Sequence, residues 1–260
     1  MPKFAANLTL LFNELAFLDR FAAAKAAGFE AVEFQQPYAY DRHELARLLK
    51  KHQLQLVLHN LPAGNWDAGE RGIACHPDRV DEFRTGVALG LDYARTLGCP
   101  QLNCLAGIQP ANITRAQAHT TFVANLKFAA EKLKAAGIKL LIEPINCHDI
   151  AGFFLNYTAQ AAAIVDEVGS DNLFIQYDIY HAQRMEGELA ATVQKYLPTI
   201  AHIQLADNPG RHEPGTGEVN YPFLLKHLQS IGYSGWIGCE YKPKTTTTAG
   251  LGWLQSMGHS

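Results

Sequence analysis

Short apolar runs alternate with longer stretches of helical period from one end of the chain to the other. The runs are FAANLTL from Phe4, AVEFQ from Ala31, LQLVLHN from Leu54, QLNCLAG from Gln101, KLLIEPIN from Lys139, LFIQYDIYH from Leu173, IAHIQLAD from Ile200 and GWIGCEY from Gly235. Their length and their β-branched and aromatic content predict buried strands. Between them, LDRFAAAKAAG, RHELARLLKKH, VDEFRTGVALGLDYARTLG and FVANLKFAAEKLKAAG carry apolar residues at helical spacing. Gly28, Gly98, Gly137 and Gly232 each fall shortly before a strand, where a glycine closes the preceding helix.

Eight such units in 260 residues average roughly 30 residues each, which predicts an α/β fold: a (β/α)8 TIM barrel forming a single domain over residues 1–260. A doubly wound open sheet is the alternative, but no GxGxxG or P-loop follows any of the strands. Two polar, glycine-containing loops are long: LPAGNWDAGERGIACHPDR after the third strand and NPGRHEPGTGEVN after the seventh. In a barrel both belong to the C-terminal face and are expected to act as lids or substrate walls. A C-terminal tail starts at about residue 244 and is expected to pack on the barrel or on a neighbouring chain.

Composition narrows the function. A formal charge of −3 with 18% charged residues gives no basic footprint, so no nucleic-acid partner is expected. The first segment, MPKFAANLTLLFNELAFLDRF, is broken by Asn7, Asn13, Glu14, Asp19 and Arg20; it predicts neither a signal core nor a membrane span, hence a cytoplasmic protein without a membrane partner. Cys75, Cys99, Cys104, Cys147 and Cys239 are odd in number and form no CxxC pair, which suits reduced, mostly buried thiols rather than disulfides or a zinc framework. A homo-oligomer is compatible with this pattern.

Four consecutive strands then place an oxygen donor near their C-terminal ends: Glu143 in LLIEP, Asp178 in IQYDIYH, Gln204 in HIQLAD and Glu240 in GCEYKP. The spacing is close to one βα unit each time, so neighbouring strands aim all four toward the barrel axis. Three converging carboxylates are costly to bury unless a cation compensates them. A set of hard oxygen donors without thiolate or imidazole favours Mg2+ or Mn2+ over Zn2+.

The segments LHNLPAGNWDAGERGIAC, LLIEPIN, IQYDIYHAQRMEGEL, HIQLADNPGRHEPGTGEVNYP and GCEYKPKTTTTAGLGW resemble the hydroxypyruvate isomerases of the xylose-isomerase-like barrel superfamily. The resemblance runs essentially end to end. It implies interconversion of hydroxypyruvate and 2-hydroxy-3-oxopropanoate (tartronate semialdehyde), with Glu143 and Glu240 as the catalytic proton donor and acceptor. It also implies that Glu143, Asp178, Gln204 and Glu240 are metal ligands. A related group, the 2-oxo-tetronate isomerases, shares those four positions and acts on a four-carbon acid. Moving a proton between adjacent carbons through an enediolate needs an acid, a base and a cation for the oxyanion, which this set supplies.

The expected partner is thus a small hydroxy-oxo acid. His181, three residues beyond Asp178, and His59, at the end of the third strand, are candidate substrate contacts. Arg211 and Lys242 are candidates to neutralise the substrate carboxylate. Two other classes compete: a metal-dependent phosphodiesterase or endonuclease, which would call for more histidines at strand ends and a basic face, and a non-catalytic sugar-acid binding protein.

Overall fold

The computed structural model describes residues 2–257. Eight parallel strands close into a barrel in chain order: β1 (Lys3–Asn7), β2 (Ala31–Glu33), β3 (Gln55–Asn60), β4 (Gln101–Cys104), β5 (Lys139–Ile142), β6 (Leu173–Asp178), β7 (Ile200–Leu205) and β8 (Trp236–Cys239). Pairing of Ala5 with Gly238 and of Ala6 with Cys239 joins β1 to β8 and completes the ring. The helices surround it: α1 (Arg20–Ala26), α2 (Arg42–His52), α3 (Val80–Leu97), α4 (Arg115–Ala135), α5 (Thr158–Val168), α6 (Ile179–Met185), α7 (Leu189–Tyr196), α8 (Tyr221–Ser230), α9 (Thr247–Gly250) and α10 (Gly252–Met257).

Local signals fix the helix ends. Thr114 and Gln117 form a capping box at the start of α4. Gly98 ends α3 in the left-handed conformation, φ 66°, as its position before β4 predicted. None of the described helices is long and apolar enough to cross a membrane.

The barrel interior is layered by the two-residue period of its strands. Ala5, Ala31, Val57, Leu58 and Leu141 form a small apolar cluster of their own, with Phe174, Ala201 and Trp236 against it. Two residues further along five of those strands, the same face carries Asn7, Glu33, Asn60, Glu143 and Gln176, all buried. The interior therefore turns from apolar to polar toward the C-terminal end, where the site lies.

Most strands are shorter than their apolar runs. LFIQYDIYH ends as a strand at Asp178, because Oδ1 of Asp178 accepts the Tyr180 backbone N–H at 2.8 Å and starts α6 there. His181 consequently sits on a helix rather than a strand end. The tail packs on its own barrel: Thr247 is fully buried, its hydroxyl accepts the Phe12 N–H, and Trp253 meets Phe4 edge-on at 5.0 Å. Four cysteines are buried; Cys147 is exposed.

Candidate active site

A cavity of about 360 Å³ opens at the C-terminal ends of the strands. Its wall includes Glu143, Gln176, His181, Arg211 and Glu240, with Trp66 and Arg71 contributed by the loop after β3 and Lys242 by the segment after β8. Both long polar loops thus reach the site, as their place on this face predicted.

Glu143 and Glu240 lie one residue beyond β5 and β8, and Asp178 is the last residue of β6. Gln204 pairs in register with Asp178 on one side and Gly238 on the other. Three carboxylates, Glu143, Asp178 and Glu240, are therefore buried close together. Burial, reinforced by the charges of Glu240 and Asp178, pushes Glu143 well above the ordinary carboxylate range. Burial likewise raises Asp178, against the pull of Arg211. Glu240 is pushed up to about 8, again chiefly by burial, with Arg211 opposing.

The compensating cation is Arg211, whose Nη2 lies 2.6 Å from Glu240 Oε1 and 3.6 Å from Asp178 Oδ2. Its own burial would depress it, but Glu240, Asp178 and Glu143 together hold it protonated. One positive charge faces three carboxyl groups, and Asp178 Oδ2 is buried without a hydrogen-bond partner. Glu143 Oε2 accepts from Asn103 at 2.8 Å, and Glu240 accepts from Gln35 at 3.1 Å and Asn7 at 3.0 Å.

His181 joins this group, with Nε2 3.5 Å from Asp178 Oδ2 and 3.8 Å from Glu143 Oε1. Its tautomer follows from the bonds on its far side. The Asp149 backbone N–H donates to Asn146 Oδ1 at 2.8 Å, which turns Asn146 Nδ2 toward His181 Nδ1 at 2.6 Å. An amide nitrogen can only donate, so Nδ1 accepts and the imidazole proton sits on Nε2, facing the carboxylates. Burial, then the Arg211 and Arg184 charges, depress His181 far below its ordinary value and keep it neutral. It is placed as a hydrogen-bond donor into the cavity.

Lys242 is exposed at the cavity rim, and its backbone N–H donates to the Arg211 carbonyl at 2.7 Å. His59 is set apart from the site. It is wholly buried, parallel to Phe34 and edge-on to Tyr38, and its strand neighbour Asn60 lines the cavity instead. The physical reason is phase: successive side chains of β3 point to opposite faces, so only one of His59 and Asn60 faces inward.

The family model described as xylose isomerase-like TIM barrel matches residues 21–257. The chain belongs to this family. It is 55% identical over 254 residues to the hydroxypyruvate isomerase of Escherichia coli strain K12, with 98% of each chain covered. It is 48% identical over 255 residues to a 2-oxo-tetronate isomerase of Cupriavidus necator, again with 98% of each covered. Among solved structures, one titled AP endonuclease, family 2, from Brucella melitensis superposes with a TM-score of 0.96 at 44% identity, covering 98% of this chain and 99% of that one.

On this xylose isomerase-like barrel the sequence reading missed a fourth interior carboxylate. Glu33 accepts from Asn7 at 2.9 Å and Gln204 at 2.8 Å, and its Oε2 is 2.7 Å from His202 Nε2. Gly238 makes room for it, since a Cβ there would lie 2.3 Å from both Glu33 carboxylate oxygens. Gln204 turns Nε2 to Glu33 and to Glu240 Oε2 at 2.6 Å, while its carbonyl oxygen accepts from Gln176 at 2.6 Å. Asn146 and Arg71 were missed as well. Every residue of β2 is buried, so AVEFQ carries no phase that marks Glu33, and nothing in the sequence pointed to the other two.

Proposed function

We propose that the protein is an aldose–ketose isomerase interconverting hydroxypyruvate and 2-hydroxy-3-oxopropanoate by proton transfer through an enediolate. The observation that carries this reading is the pair Glu143 and Glu240. These are two buried carboxyl groups on the wall of one cavity, both raised by burial above the ordinary carboxylate range, as suits groups that take up and give back a proton. The 55% identity to a protein named hydroxypyruvate isomerase supports the choice of substrate.

A divalent ion fits the residues present. Three buried carboxyl groups face a single guanidinium, and Asp178 Oδ2, which accepts no hydrogen bond, offers a hard donor. Glu143, Asp178 and Glu240 would hold Mg2+ or Mn2+, with Gln204 as fourth ligand once its amide turns its oxygen toward them. The ion supplies, when bound, charge stabilisation for the enediolate oxygens.

The chain's own groups do the rest. One glutamate takes a proton from C3 of hydroxypyruvate, the hydroxyl proton passes from O3 to O2, and the other glutamate delivers a proton to C2, so that the two carboxyl groups exchange protonation states. The Nε2–H of His181 donates to a substrate oxygen on which charge develops. Trp66 and Arg71 form the outer wall of the cavity. A phosphodiesterase reading is disfavoured, since the metal-capable group found among the described residues, Glu143, Asp178 and His181, contains a single histidine.

A second reading, a 2-oxo-tetronate isomerase, rests on the 48% identity to the Cupriavidus protein. Coupled turnover of hydroxypyruvate and of a four-carbon 2-oxo acid by purified, Mn2+-loaded protein tests both. The proposal expects a higher kcat/KM on the three-carbon acid. A higher value on the four-carbon acid selects the second reading, and turnover of neither acid defeats both.

A further inference from the structure

A 2-oxo acid brings a permanent negative charge into a cavity whose wall already holds Glu143, Asp149 and Glu240. Three cations line the same wall: Arg211, Lys242 and Arg71. Arg211 is engaged by Glu240 and Asp178. Lys242 is exposed at the rim, where water screens its charge.

Arg71 differs from both. It is half-buried, and its guanidinium lies 4.0 Å over the Trp66 ring. Its Nη1 donates to the carbonyls of Trp66 at 3.0 Å and Glu70 at 2.7 Å, neither of which cancels the charge. The adjacent acid, Glu70, is occupied by Arg79 and the Asn65 N–H. Stacking and two carbonyl bonds thus fix the plane of the guanidinium while leaving its Nε and Nη2 edge, the geometry that receives a carboxylate side-on.

The backbone under Arg71 is equally fixed. Gly72, at φ +110°, lies so close to the strand-end segment after β4 that a Cβ would approach Leu105 O to 2.4 Å. Its N–H donates to Ala63 O at 2.9 Å, and the Cys75 N–H to Ala106 O at 2.9 Å. Arg71 therefore stands on an anchored part of the loop, so little ordering remains to be done when an anion binds.

We propose that Arg71, stacked on Trp66 in the loop after β3, binds the substrate carboxylate and selects acids over neutral hydroxy-carbonyl compounds. This rests on the 2-oxo acid reading given above. Dihydroxyacetone is the matched neutral probe, being hydroxypyruvate with its carboxylate replaced by CH2OH.

The test compares wild type with Arg71→Met and Arg71→Lys. Arg71→Met is expected to raise KM for hydroxypyruvate at least about tenfold, the scale of one charge-assisted pair, with kcat within about threefold. The inhibition constant of dihydroxyacetone is expected to stay within about twofold, and Arg71→Lys to recover part of the loss. An unchanged KM, or parallel weakening of hydroxypyruvate and dihydroxyacetone, overturns the proposal. So does Lys242→Met raising KM where Arg71→Met does not. If wild type turns over neither acid, the functional reading fails separately. Calorimetric binding of malonate then decides the case for Arg71: weakening in Arg71→Met supports it, and unchanged binding overturns it.

Discussion

The side-chain amide of Asn146 donates to Nδ1 of His181 at 2.6 Å, and that bond decides which face of the imidazole carries its proton. Replacing Asn146 with Asp substitutes an acceptor for the donor and draws the proton to Nδ1, away from the cavity. Asn146→Asp is expected to lower kcat at least about tenfold, the usual scale for a group that orients a site histidine. Nitrogen NMR shifts of His181 should move from the Nε2–H to the Nδ1–H pattern. A variant with unaltered kcat and the Nε2–H pattern would remove His181 and Asn146 from the mechanism.

Glu143→Gln and Glu240→Gln are each expected to lower kcat by about 10²- to 10⁴-fold, the range of general acid–base catalysis. Both residues are also proposed metal ligands, so metal content must be measured beside the rate. Near-normal kcat in either variant withdraws the proton-transfer role from that residue.

Chelation is expected to abolish turnover and added Mg2+ or Mn2+ to restore it, since Asp178 Oδ2 is buried without a hydrogen-bond partner beside two other carboxyl groups. Full turnover by exhaustively metal-free protein would contradict the metal assignment.

His59 predicts a stability effect remote from the chemistry. Burial lowers it from 6.5 to about 4, and its Nε2 has no partner to accept an added proton's bond. As pH falls below 6.5 the unfolded chain takes up this proton while the folded protein does not, so stability is intact above 6.5 and declines toward pH 4. The full window is worth about 3 kcal/mol. Chemical denaturation at several pH values should show the stability gap between wild type and His59→Gln narrowing by about that amount between pH 7.5 and pH 4. A gap independent of pH would mean that His59 titrates normally.

The barrel was legible because each strand depends on local information. A strand is a short apolar run, and Glu143 and Glu240 each mark the place where one such run meets the cavity, while Asp178 and Gln204 sit in register beside each other on β6 and β7. Glu33 was not legible, because its partner His202 is 169 residues away and AVEFQ alone gives no reason for its acid. In LVLHN both faces of the strand are buried, so hydropathy carries no phase and does not tell His59 from Asn60 as the inward residue. The Asn146–His181 bond spans 35 residues between two loops and helices whose relative placement only the closed barrel defines. Arg71 sits in a polar loop, where composition says nothing about the direction of a side chain.

Proton transfer between adjacent carbons is tested by following hydroxypyruvate turnover by NMR in D2O. A proton held by Glu143 or Glu240 during the enediolate stage exchanges with solvent, so 2-hydroxy-3-oxopropanoate is expected to carry deuterium at C2. A product formed at full rate with its original hydrogen transferred intact would contradict it.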